Sequence, residues 1–269
     1  MSRSLGADRE AARTVALAAA REAGAMLLER LVRVESEPFR RKSSWRDLVT
    51  EADVESERAL VSRLRSSFPG HAIEAEEEVR DPGEVEQGAR WFLDPLDGTI
   101  NFVHRLPCFA VSMGLFVDGI PEVAVVHAPL LGETFHAVRG GGAFLGEERI
   151  RVSETSELAE AILATGFPYR LNDLEHTNLE NFARLSYLVR GLRRMGSAAI
   201  DLAYTAAGRL DGFWELHLSP HDVAAGALLV REAGGIVTDA DGGEDWLRGG
   251  HIVAAGPALH PRIRQHLVH

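Results

Sequence analysis

Residues 91–102 read WFLDPLDGTINF. The apolar triplet Trp91–Leu93 predicts a buried strand that delivers Asp94 at its end, and Pro95 is expected to stop the strand there. Gly98 permits a tight turn. Asp94 and Asp97 then bracket a loop whose carbonyls can face inward, and the Gly98 and Thr99 amides can open a short helix aimed at an anion. Two carboxylates, a carbonyl and free amides suit a hard divalent cation that bridges to phosphate. Unneutralised, a close carboxylate pair repels by ~4 kcal/mol at an effective dielectric near 20. If these acids converge, they converge on a metal.

Three further acidic pieces lie outside this stretch: Asp53 in DLVTEAD, Glu76 and Glu77 in EAEEE, and Asp222 in SPHDVAAG. Each has a plain reading by itself. Asp53 and Asp222 suit the first turn of a helix, complementing its dipole, and Glu76–Glu78 suits a solvated face.

Working outward, a helix is predicted over 7–33, with Val15, Ala18, Ala19, Met26 and Leu27 on one face. A second runs over 51–67 and is stopped by Phe68-Pro69-Gly70. Ala72–Ala75 reads as a short strand. Strands at 108–117, 123–128, 134–138 and 143–145, separated by glycine turns, predict an antiparallel meander. From about residue 156 the texture changes. Helices predicted at 173–189, 197–208 and 221–233 alternate with strands at 161–165, 211–216, 235–238 and 251–255, which is α/β texture. The expectation is a mixed α/β chain in two halves, 1–150 and 151–269, packed as one body.

Composition narrows the function. The 269 residues are 45% hydrophobic and 26% charged, with a net charge of −11. This acidic balance argues against general nucleic-acid binding, because nothing neutralises a run of phosphates. One cysteine, Cys108, suits a reducing compartment. No apolar stretch is long enough to span a bilayer, so a cytoplasmic, soluble protein is expected. A P-loop, a G-x-S-x-G elbow and an H-E-x-x-H pair are all absent. Asp239-Ala-Asp241 reads as an acidic strand-end turn rather than a phosphoryl-accepting loop, since Gly243 stands where a Thr or Val is required. Lysine occurs once among the 29 basic residues, as Lys42.

The ordered set of Lys42 with DLVTEAD (47–53), FPGHAIEAEEE (68–78), WFLDPLDGTINFVHRLPCFAVSMGL (91–115), RMGSAAIDLAYTAAGRLDGFWE (194–215) and HDVAAGALLVREAGG (221–235) resembles the inositol monophosphatases. The resemblance spreads over nearly the whole chain. It implies a layered αβαβα fold and hydrolysis of phosphate monoesters with two or three Mg²⁺ per active site, sensitive to Li⁺. By motif it implies metal ligation by Glu76, Asp94, the Leu96 carbonyl, Asp97 and Asp222, with Glu77 behind Glu76. Asp53 and Thr99 would orient and help deprotonate the attacking water, and Gly98 and Thr99 would hold phosphate. Lys42 would stand near a weaker metal position. Asp97, Gly196, Ser197, Ala198, Glu215 and Asp222 would contact the substrate. A homodimer is implied as well.

The chain departs from the family pattern at Ala75, at Ser197 (commonly Thr) and at His221 (commonly Trp). His221 is expected to fill space and cap its helix. Thr99-Ile100-Asn101-Phe102 and the polyol-suited acid Glu215 favour myo-inositol 1-phosphate. Histidinol phosphate, fructose 1,6-bisphosphate, NADP or a nucleotide 3′-phosphate are the alternatives. A non-catalytic regulator that uses this fold to bind a protein is the reading from a different class.

Overall fold

The computed structural model describes residues 2–32, 39–41, 48–168, 174 and 176–269, and its architecture follows from how each strand divides its side chains. The first helix, α1 (Ser2–Leu31), is followed by the paired strands β1 (Phe39–Arg41) and β2 (Leu48–Thr50) and by helix α2 (Glu51–Ser67). Next come β3 (Ala72–Ala75), β4 (Ala89–Asp97), the short helix α3 (Thr99–Val103), β5 (Ala110–Val117), β6 (Ile120–Ala128), β7 (Glu133–Val138), β8 (Gly142–Leu145) and β9 (Glu148–Ile150). Strands β3 to β9 form one seven-stranded sheet in sequence order, with β3 parallel to β4 and every other pair antiparallel.

The second half contributes β10 (Ile162–Thr165), α4 (Leu179–Ser186), β11 (Gly191–Arg193), α5 (Ala198–Ala206), β12 (Gly212–Leu216), α6 (Pro220–Glu232), β13 (Ile236–Thr238), β14 (His251–Ala255) and α7 (His260–Arg264). Its strands form a five-stranded sheet in the order β11-β10-β12-β14-β13, parallel at the β11 side and antiparallel at the β13 side.

Period-two alternation places these sheets between helices. On β4, Trp91 and Leu93 join the core beneath α1 and α2, whereas Phe92 joins the core that contains α5 and α6. Strand β6 divides the same way, with Val123 and Val125 on one side and Ala124 and Val126 on the other. On the second sheet, Phe213 and Ala254 face α5 and α6, while Trp214, Val253 and Ala255 pack outward with Leu185 of α4 and Ile263 of α7. The result is the αβαβα sandwich. By sequence α6 belongs to the second half, but it packs against β4, β5 and β6 of the first sheet. No helix among the described residues is long and apolar enough to cross a membrane.

Three sequence expectations are corrected. The buried stripe of α1 is Ala12, Ala16, Ala19, Ala20, Ala23 and Leu27, so small residues rather than Val15 and Met26 set the close approach of helix to sheet. Helix 173–189 is shorter, Leu179–Ser186 among the described residues, because Asn178 with positive φ starts it. Strand β4 does not stop at Pro95. It continues to Asp97, with its pairing to β5 shifting register between Asp94 and Asp97.

Candidate active site

The irregularity in β4 is what creates the site. Asp94 pairs with Ser112 and Asp97 with Ala110, so one more residue separates the two partners on β4 than on β5. Pro95 has no N–H to offer the ladder, and a bulge of this kind re-aims side chains. Its carbonyl is held instead by the Ser56 hydroxyl, which donates to Pro95 O at 2.9 Å. The Leu96 amide donates to Asp94 Oδ1 at 3.0 Å and fixes that carboxylate. Gly98 follows with φ +92°, and a Cβ there would lie 2.8 Å from the Cys108 carbonyl, so only glycine fits. Gly98 is the N-cap of α3, and Gly98 and Thr99 both line the pocket.

Two helices bring the remaining acids. Asp97 Oδ2 accepts from Ser197 Oγ at 2.6 Å and from Ala199 N at 2.7 Å, which ties β4 to the first turn of α5. Asp222 is the third residue of α6 and forms a capping box with Ser219, whose amide donates to Asp222 Oδ2 at 2.6 Å. Asp53 does the same for α2, with Thr50 N donating to its Oδ2 at 2.7 Å. The plain reading of both as helix N-terminal acids therefore holds. It does not exclude the other, because a carboxylate has two oxygens. Asp53 Oδ1 takes the Thr99 hydroxyl at 3.0 Å, and that hydroxyl lies 3.2 Å from the Leu96 carbonyl.

Asp94, Asp97 and Asp222 each offer a carboxylate oxygen, and the three lie within 4.8 Å of one another. Burial, then the nearby Glu76, Asp97 and Asp222, holds the Asp94 carboxyl well above the usual carboxylate range. Burial and Asp222 push Asp97 up to about 7. Hard oxygen donors that converge in a buried place are what a divalent metal neutralises, so the residues present fit one.

These acids line a pocket of about 430 Å³ with Glu76, Leu96, Gly98, Thr99, Gly196, Ser197, Ala198 and Glu215. A volume of this order suits a small ligand. Glu215 comes from β12 of the other sheet. Burial pushes its carboxyl up to about 8, against the opposing pull of Arg194. It packs where Gly166 has no side chain, since a Cβ there would lie 2.1 Å from Glu215 Oε1.

Most of the predicted site residues thus meet in one pocket. Glu77 is not on the pocket wall; its amide donates to Glu57 Oε2 at 2.7 Å. Lys42 lies outside the described residues. His221 is buried at the wall with Nε2 3.8 Å from Asp222 Oδ1, but it does not cap α6, because Ser219 already occupies the N-cap. Asp239 accepts from the amides of Gly243 and Asp245, the strand-end turn expected of it.

Sequence reasoning missed three groups. Glu57 is fully buried on α2 beneath the acidic turn. Its signal was a charge on the buried face of α2, which also carries Asp53 and Ser56 and continues through Leu60, Val61 and Leu64. Asp201 of α5 is 1% exposed and lines the pocket, and burial and Glu215 hold its carboxyl well above the usual range. Arg194 also lines the pocket, and a Cβ on the neighbouring Gly196 would meet its guanidinium.

The chain is 45% identical over 245 residues to a protein named Nus factor SuhB from Escherichia coli (strain K12), covering 91% of each. Among solved structures, the extragenic suppressor protein suhB from Bartonella henselae superposes with a TM-score of 0.88 at 39% identity, over 94% of this chain and 96% of that one. Inositol monophosphatase from Anabaena (Nostoc) sp. PCC 7120 superposes with a TM-score of 0.85 at 39% identity, over 94% of each. The profile described as the inositol monophosphatase family matches residues 8–269. With that match across nearly its whole length, the chain belongs to the inositol monophosphatase family.

Proposed function

We propose that the protein is a metal-dependent phosphatase that hydrolyses a small phosphate monoester, myo-inositol 1-phosphate in first place. The observation that carries this reading is that the Asp94, Asp97 and Asp222 carboxylates share one pocket with Glu215 and with Thr99, whose hydroxyl donates to the buried Asp53 behind the wall. When bound, Mg²⁺ would neutralise the phosphate oxygens and make a coordinated water more acidic. Glu76, Asp94, Asp97, Asp222 and the Leu96 carbonyl would hold it. The Gly98 and Thr99 amides would orient the phosphate.

Thr99 would accept a hydrogen bond from the attacking water and pass its proton on to Asp53. Burial pushes Asp53 up to about 6, close enough to neutral pH for general-base work. In the displacement, the water oxygen forms a bond to phosphorus as the bond to the substrate oxygen breaks, and that oxygen takes a proton from solvent. No side chain forms a covalent adduct. Ser197, Glu215 and the backbone at Gly196 and Ala198 would meet the substrate's hydroxyls. Lys42 is proposed to act near the same site, and Glu77 to support Glu76. A homodimer, a reducing cytoplasmic setting and the absence of general nucleic-acid binding complete the reading.

The test is a phosphate-release panel with Mg²⁺ over polyol, sugar, nucleotide and amino-alcohol phosphates, compared by kcat/KM. Inositol 1-phosphate is expected to lead and Li⁺ to inhibit. Faster turnover of histidinol phosphate or a nucleotide phosphate would overturn the substrate. The panel needs that breadth because SaIMPase-II, 26% identical, has been solved with inositol monophosphate bound and with 2'AMP bound. The name Nus factor carried by curated relatives favours a second reading, in which the same body also serves as a factor that binds a macromolecular partner. Absence of turnover on every substrate in the panel would leave that reading alone.

A further inference from the structure

One face of α2 touches three separate parts of the site. Asp53, Ser56 and Glu57 stand at positions i, i+3 and i+4, which share a helix face, and none is more than 1% exposed. Asp53 reaches Thr99 at the start of α3, and Ser56 reaches the Pro95 carbonyl between Asp94 and Leu96. Glu57 collects the acidic turn. Its Oε2 accepts from Glu77 N at 2.7 Å, and its Oε1 accepts from Glu78 N and Val79 N, both at 2.8 Å. Glu76 precedes that turn, and its own amide donates to Leu93 O at 3.1 Å, one residue before Asp94. The segment carrying Glu76 is therefore held from both ends, by β4 and by Glu57.

Three converging N–H donors need a group that only accepts, on both oxygens. An ionised carboxylate meets that requirement, whereas an amide would turn its NH₂ toward one of the donors. Arg58 grips the same turn from outside, with its guanidinium 3.0 Å from Glu78 Oε1, but that pair is exposed and leaves the backbone bonds to Glu57.

We propose that Glu57 is a positioning residue that sets the affinity of the site for its divalent metal, by fixing the acidic turn so that Glu76 faces Asp94. The proposal rests on the metal-dependent phosphatase reading above. A merely structural acid would cost stability when replaced and leave metal affinity in the folded variant unchanged. A positioning acid would weaken metal binding while leaving the saturated rate nearly intact.

The experiment compares wild type, Glu57→Gln, Glu57→Asp and Arg58→Ala by calorimetric titration with Mn²⁺ alone, by Mg²⁺-dependence of phosphate release and by amide hydrogen exchange. For Glu57→Gln the Mn²⁺ Kd and the half-saturating Mg²⁺ concentration are expected to rise together by about 10- to 100-fold. The rate at saturating Mg²⁺ should stay close to that of wild type, and the amides of residues 77–79 should exchange faster. Glu57→Asp keeps the charge but is one methylene short, so its affinity should fall between the two. Arg58→Ala should bind Mn²⁺ like wild type.

A folded Glu57→Gln protein whose Mn²⁺ affinity matches wild type overturns the proposal, as does a loss of saturated rate at unchanged affinity. If Glu57→Gln does not fold, Glu57→Asp decides by the same readout: unchanged affinity overturns. A wild type that binds Mn²⁺ yet releases no phosphate defeats the phosphatase reading alone, and the Mn²⁺ affinities still judge Glu57.

Discussion

The pocket has two walls built on different terms. On the wall descending from the seven-stranded sheet, every aspartate is tied before any ligand arrives. Asp94 holds the Leu96 amide and Asp97 holds Ser197 and Ala199, while behind the wall Asp53 of α2 holds Thr50 and Thr99. On the opposite wall, Glu215 of β12 is placed by packing against Gly166, and Asp201 Oδ1 of α5 is buried without a hydrogen-bond partner among the described residues. A donor-rich frame fixes carboxylates for one geometry, as metal and phosphate demand. Carboxyls fixed mainly by packing leave their hydrogen bonds for a ligand's hydroxyls to complete. On the proposed function, the first wall would set the chemistry and the second the choice of substrate.

The strongest way to break this comparison is Asp94→Asn. Its expected effect is a fall in turnover on the order of 10³-fold, the equivalent of about 4 kcal/mol of lost transition-state stabilisation. Because the substitution also removes a repelling charge, the metal-free variant should melt no lower than wild type by calorimetry. Turnover within tenfold of wild type would place the chemistry elsewhere.

A smaller effect is expected on the other wall. Glu215→Ala should raise KM for inositol 1-phosphate by about tenfold or more, the worth of one lost hydrogen bond to a charged or buried group. It should leave p-nitrophenyl phosphate, which has no hydroxyls to offer, nearly unchanged. Equal losses on both substrates would show that Glu215 serves the shared chemistry instead.

The smallest effect sharpens the difference through pH. Asp97 and Glu215 titrate at about 7 and about 8 in the folded protein, above their ordinary values of 3.8 and 4.5. Their contribution to stability is therefore complete below those ordinary values and is lost as pH rises through 7 to 8. Burial lowers His127, His136 and His260, which act oppositely, but their loss of stability falls below pH 6.5. Between about pH 6.5 and 8.5 the metal-free Tm should fall, and the gain in Tm on adding Mg²⁺ should grow, because the metal binds the ionised acids. A Mg²⁺ increment that is flat across this window would mean that the acids are already ionised in the metal-free fold.

Much of the secondary structure was legible from pattern and punctuation. Helix 51–67 and strands 72–75 and 251–255 match to the residue, because Thr50, the Phe68-Pro69-Gly70 stop and alternating apolar residues mark their ends locally. Strand β4 was misread at Pro95. Local rules stop a strand there, but pairing with β5, which resumes at Asp97 opposite Ala110, carries it through, and the resulting bulge places Asp97. Glu57 went unread for a related reason: its partners are backbone amides twenty and more residues away, which no composition or spacing encodes.

By itself the sequence determined which side chains are present, the family, and the local role of Asp53 and Asp222 as helix N-terminal acids, since capping depends only on neighbours within one turn. The tertiary structure alone decided that Asp94 and Asp97 from β4 and Asp222 from α6 converge. That convergence requires α6, encoded in the second half, to lie across the first sheet. Buried apolar contacts such as those of Phe92, Val126 and Val223 hold it there against the repulsion of the acids that it brings together.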